Sequence, residues 1–199
     1  MRFPMMPKHL TDAVSSCRKV AFAASLLWVC SWAMMAIHEL GHVLCGLATG
    51  GQIEQVSLVP GQISRTSLSV NPRPGFVAWG GPFLGCLLPA GILTLLPESR
   101  ATLKTCLRFF TGLCLVANGA YIGLGAVQGI GDCRMIKAAG YPVWTMWTFG
   151  LMTVPLGVFL WHSMGSLRQF FVDRSQPTAP AESTVHVSSL ALIGWLVVV

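Results

Sequence analysis

Apolar residues in this chain gather into unbroken stretches rather than alternating stripes: 20–49, 75–96, 109–130 and 141–164 each run nearly free of charge. Crossing a hydrocarbon core takes about 20 apolar residues as helix. A backbone shielded from water must satisfy its own hydrogen bonds, so each stretch predicts a membrane-spanning helix. A fifth apolar stretch, 185–199, stops short of a full span. Between the first two stretches the pattern changes. After Gly50-Gly51, residues 52–70 carry Ile53, Val56, Leu58 and Val59, then Pro60-Gly61, then Ile63, Thr66, Leu68 and Val70. Strand-forming runs on either side of a Pro-Gly turn predict a β-hairpin. Asn71-Pro72-Arg73-Pro74-Gly75 closes it, because two prolines remove donors and fix the backbone.

The expected fold is an all-α multi-pass membrane protein with a three-helix core, one or two further helices, and a small β-hairpin between helices 1 and 2. Residues 1–19 read as a polar leader without an evident fold, 20–140 as the membrane-embedded core, and 141–199 as an additional span, a linker and a short apolar end. Residues 98–108 read as a short basic connection, and 175–184, with Pro177 and Pro180, as a flexible linker. The basic leader before an apolar run is like a signal peptide. However, the run continues through His38 with no small-residue cleavage site, so a retained helix is expected.

Composition agrees with the pattern. The chain is 53% hydrophobic and 10% charged, against about 25% charged in soluble domains, so lipid is its main solvent and the bilayer its first partner. The formal charge of +6 comes from basic residues in the short segments between spans, where headgroups and topology account for them. No nucleic-acid signal is present. Seven cysteines, mostly inside apolar stretches, lack the clustered spacing of a disulfide framework.

Ionisable groups are costly inside a span, so the few that occur there point to chemistry. Glu39 lies within the first apolar stretch, flanked by His38 and His42, and Asp132 follows the third in Gly129-Ile130-Gly131-Asp132-Cys133. Residues four apart on a helix share a face, so the His38-Glu39-Leu40-Gly41-His42 spacing lets two imidazoles meet one metal ion. Glu39 then sits beside that ion, placed to deprotonate a water whose pKa a zinc ion lowers to about 7. Gly41 leaves space for a substrate or a neighbouring helix. A buried histidine by itself is more often a satisfied core residue, but two of them around an embedded glutamate would each need separate partners.

A catalytic zinc uses three protein ligands and a water. Asp132 is the choice for the third, since antiparallel packing of three spans returns the end of the third to the level of the pentad. Cys133, Cys45, Glu54 and His162 are rivals, with His162 at the far end of its span.

These residues resemble those of the site-2 protease family, the intramembrane zinc metalloproteases. The likeness rests on His38-Glu39-Leu40-Gly41-His42 in the first core helix, Gly80-Gly81-Pro82-Phe83-Leu84-Gly85 in the second, Asp132 after the third, and the placement of the hairpin, together covering about 20–133. It implies one catalytic zinc ion held below the membrane surface and cleavage of transmembrane protein substrates. Such a substrate must unwind before attack, and the 52–70 hairpin offers strand addition to hold it extended. The pattern departs from the family in two places. Gly85 stands where Asn is usual, and Asn118 lies fourteen residues before Asp132 with no proline between them, and Cys133 follows. No stretch is large enough for the PDZ or nucleotide-sensing domains of some relatives.

Two arguments about orientation oppose each other. Lysine and arginine number nine on the leader side and four on the side of Arg65, Arg73, Arg134 and Lys137, which puts the leader in the cytoplasm. The resemblance implies instead a zinc end open to the cytoplasm. The sequence thus supports a zinc metalloendopeptidase integral to the cell membrane, with a catalytically silent or non-proteolytic zinc-binding membrane protein of the same scaffold as the alternative.

Overall fold

The computed structural model describes residues 8–59 and 62–164. The Pro60-Gly61 turn, the 175–184 linker and the 185–199 stretch lie outside the described residues. The chain divides into two units, 1–30 with 166–199, and 31–165. The first is described only as helix over 8–30; the site lies wholly in the second.

Among the described residues, five α-helices and one two-stranded sheet follow in the order α1 (Lys8–Ala48), β1 (Gln52–Ser57), β2 (Arg65–Val70), α2 (Pro74–Leu95), α3 (Ala101–Gln128), α4 (Gly131–Ala138) and α5 (Val143–His162). Among the described residues, four helical stretches are long and apolar enough to cross a membrane: 16–48, 74–95, 98–128 and 143–162. Their outward side chains, Leu87, Leu124, Val127, Leu151 and Met152 among them, are large, apolar and exposed, which suits lipid.

The boundaries follow from local chemistry. Helix α1 begins at Lys8, inside the segment read as a polar leader without an evident fold, because no glycine or proline occurs from Lys8 to Leu40 to stop it. It ends at Gly50, whose φ of 77° suits a residue without a Cβ. Helix α2 opens on Pro74, where the missing N–H costs nothing. The 98–108 segment, read as a short basic connection, is helical. A 3-10 turn at Glu98–Arg100 leads straight into α3, and the Lys104 ammonium pairs with Glu98. Helix α3 stops at Gly129 (φ 65°), and the chain restarts at Gly131 (φ 52°) as α4, a helix the apolar pattern does not reveal.

The hairpin is antiparallel, pairing Val56 with Thr66 and Ser57 with Arg65, and its register shifts on either side of Ile53. Between helices, small residues allow close backbone approach, as membrane packing requires. A Cβ on Gly150 would lie 2.9 Å from the Gly119 carbonyl oxygen, which brings α5 hard against α3. The buried Thr111 hydroxyl of α3 donates to the Pro89 carbonyl of α2 at 3.2 Å, tying the two helices together. Trp79, Ile122, Cys133, Ile136, Met146 and Phe149 form the core where α2, α3, α4 and α5 meet.

Candidate metal centre

His38 and His42 lie one turn apart on α1, and both are buried, as is Glu39. Their Nε2 atoms are 3.0 Å apart. Asp132 Oδ2, reaching in from the first turn of α4, lies 3.1 Å from His38 Nε2 and 3.4 Å from His42 Nε2.

The opposite ring nitrogens define the protonation. His42 Nδ1 donates to the Val77 carbonyl at 2.7 Å, and a carbonyl can only accept. His38 Nδ1 donates to Asn118 Oδ1 at 2.7 Å. Asn118 Nδ2 donates to the Cys114 carbonyl at 2.8 Å, so the amide presents its oxygen to the imidazole. With hydrogen on each Nδ1, a neutral ring leaves a bare lone pair on Nε2. Two lone pairs and a carboxylate oxygen thus converge without a proton among them, an arrangement that a cation relieves. Ligands at about 2.0–2.1 Å in a tetrahedron stand roughly 3.3 Å apart, and the three observed edges suit that spacing. The donor set therefore fits a divalent cation such as zinc. His38, Glu39 and His42 also each place one ligand-type atom within 4.8 Å of the others.

Asp132 is aimed by its surroundings. Its backbone N–H donates to the Tyr121 hydroxyl at 3.1 Å, and Tyr121 lies edge-on to His38, ring centres 5.9 Å apart. A Cβ on Gly131 would overlap that hydroxyl.

The Gly80-Gly81 pair provides the space. A Cβ on Gly41 would overlap the Gly80 carbonyl, and one on Gly81 would overlap His42 Nε2 and stand 2.8 Å from His38 Nε2. The neighbour for which Gly41 leaves room is therefore α2. On the open side lies a cavity of about 890 Å³, lined by Met34, His38, Glu39, Thr66, Asn118, Tyr121 and Asp132, with Arg65 and Arg134 also on its wall. Glu39 faces it and accepts a hydrogen bond from the Thr66 hydroxyl.

The rival ligands lie elsewhere. Cys133 is buried and its thiol donates to the Ile122 carbonyl at 3.4 Å. Cys45 packs on Gly80. Glu54 and His162 are exposed, and neither lines the cavity. Three site residues escaped the sequence reading in these roles. Asn118 carried a signal, an amide inside an apolar stretch; Thr66 and Tyr121 carried none.

Over residues 13–123 the sequence matches the family model described as Peptidase M50B-like, more than half of the 199 residues. Neither the curated proteins nor the solved structures offer a match. The matched region takes in the His38–His42 pentad, the hairpin and the Gly80-Gly81 contact, and a match of that extent settles the family: the chain belongs to the M50B-like peptidases, and is an integral membrane protein of the site-2 protease kind.

Proposed function

We propose that this chain is a multi-pass intramembrane zinc metalloprotease of the cell membrane that hydrolyses peptide bonds in or near the transmembrane segments of other proteins. The observation that carries this reading is the convergence of His38 Nε2, His42 Nε2 and Asp132 Oδ2 beside Glu39, all lining one cavity.

His38, His42 and Asp132 would hold the ion. A zinc ion so bound supplies Lewis acidity toward a carbonyl oxygen and lowers the pKa of water in its open position. Glu39 takes the proton from the attacking water and later delivers it to the leaving amine. Thr66 orients the Glu39 carboxylate through its hydroxyl. A helical substrate keeps its carbonyls in hydrogen bonds, so it reaches Glu39 only when unwound. Among the described residues, strands β1 and β2 pair with each other alone, and their outer edges offer backbone groups to an extended peptide. The presence of Glu39 favours an enzyme over a silent zinc-binding protein, since binding requires ligands but no base.

The test is purified full-length protein in detergent, wild type against Glu39→Ala, assayed for zinc content and for cutting of a panel of labelled single-span proteins. The variant should keep its metal and lose cleavage. Equal cutting by both proteins would refute the reading.

A further inference from the structure

Asn118 sits in the apolar run of α3 and is 2% exposed. An amide at such a position is tolerated only when its polar atoms are paired. Its NH₂ is paired within its own helix, to the Cys114 carbonyl at 2.8 Å. Its oxygen leaves the helix and receives the His38 Nδ1 hydrogen at 2.7 Å. The space for this amide comes from a third helix. A Cβ on Gly85 of α2 would stand 2.7 Å from Asn118 Nδ2 and 3.0 Å from Oδ1, tighter than carbon tolerates. Thus α1 supplies the imidazole, α3 the acceptor and α2 the gap that lets them meet.

The two histidines are held by different means. His42 leans on the backbone carbonyl of Val77, which no side-chain substitution removes. His38 depends on a side chain. We infer that Asn118, seated over Gly85, is a positioning residue for metal binding: it holds His38 in the Nδ1–H tautomer and at the ring angle that turns Nε2 toward Asp132 and His42. Any other residue at 85 moves the amide and loosens one ligand of the three. This inference rests on the metal site described under the proposed function.

The experiment measures zinc affinity by chelator competition on full-length protein in detergent, with unfolding midpoints of the metal-free proteins alongside. Removing an outer partner of a metal-bound histidine weakens binding by about 10–100-fold, and Asn118→Leu should fall in that range. Asn118→Asp retains the acceptor and should stay within about threefold of wild type by the same reasoning. Gly85→Ala should weaken zinc binding with the Asn118 side chain intact, and this variant decides the matter if Asn118→Leu does not fold. Undiminished affinity in folded Asn118→Leu, or in Gly85→Ala, overturns the inference while leaving the metal site standing. Wild type that takes up no zinc overturns both.

Discussion

Thr66 on β2 donates its hydroxyl to Glu39 Oε2 across 2.6 Å, so the hairpin touches an acidic group buried in α1. The carboxylate of a general base must point at the water it deprotonates, and a short hydrogen bond from a strand restricts where it points. Thr66→Val keeps shape and removes the donor. Hydrogen bonds to charged groups contribute about 1.5–3 kcal/mol, so cleavage should fall about tenfold or more in kcat, with zinc content unchanged and Thr66→Ser restoring most of the rate. Full activity in the valine variant would mark the contact as incidental.

Asp132 stands apart from Glu39 in what its loss should do. Its oxygen is shared between the two imidazoles, so Asp132→Ala leaves two nitrogens where three atoms converged. Zinc affinity should drop beyond the ~100-fold expected for losing an outer partner. Ligand binding to the folded state raises stability by about 2.7 kcal/mol at a hundred times the dissociation constant. Zinc added to chelator-stripped wild type should therefore raise the unfolding midpoint, and the same addition to Asp132→Ala should not. A shared zinc response in both proteins would remove Asp132 from the ligand set.

Glycines of α1 and α2 should separate by their surroundings. A Cβ at Gly41 overlaps the Gly80 carbonyl, whereas one at Gly91 meets nothing within 4 Å. Gly41→Ala should lower the unfolding midpoint by the equivalent of about 1–3 kcal/mol, the cost of overpacking. Gly91→Ala, in the same kind of apolar helix, should be neutral or stabilising by up to about 1 kcal/mol. The order of the two midpoints is the measurement, and a reversed order would show that α1 and α2 do not approach through Gly41 and Gly80.

Glu39 adds a metal-independent check on Thr66. In Glu39→Gln the Thr66 hydroxyl still finds an acceptor in the amide oxygen, so this variant should unfold within about 0.5 kcal/mol of wild type, as substitutions that keep packing and pairing do. A large loss of stability would mean that the Glu39 charge itself holds the hairpin against α1.

Much of the architecture was legible in the chain because it is local. Long apolar runs dictate helices wherever water is absent, and a spacing of four on a helix puts His38 and His42 on one face whatever the rest does. The hairpin shows in β-branched runs on either side of Pro60-Gly61. Shorter elements were hidden for the same reason: α4 has only eight residues, too few for a periodic signal, and the helical starts at Lys8 and Ala101 lie in polar sequence where no apolar stripe marks them.

The sequence by itself determined the apolar helices, the hairpin between the first two, and the paired imidazoles flanking Glu39, since each arises from neighbours along the chain. Only the tertiary structure decided which groups complete the site. Asp132 and Asn118 reach His38 from 94 and 80 residues away, and Thr66 reaches Glu39 from 27. No periodicity links such positions. They meet because glycines at 41, 80, 81 and 85 let three helices close to distances that a single Cβ would forbid.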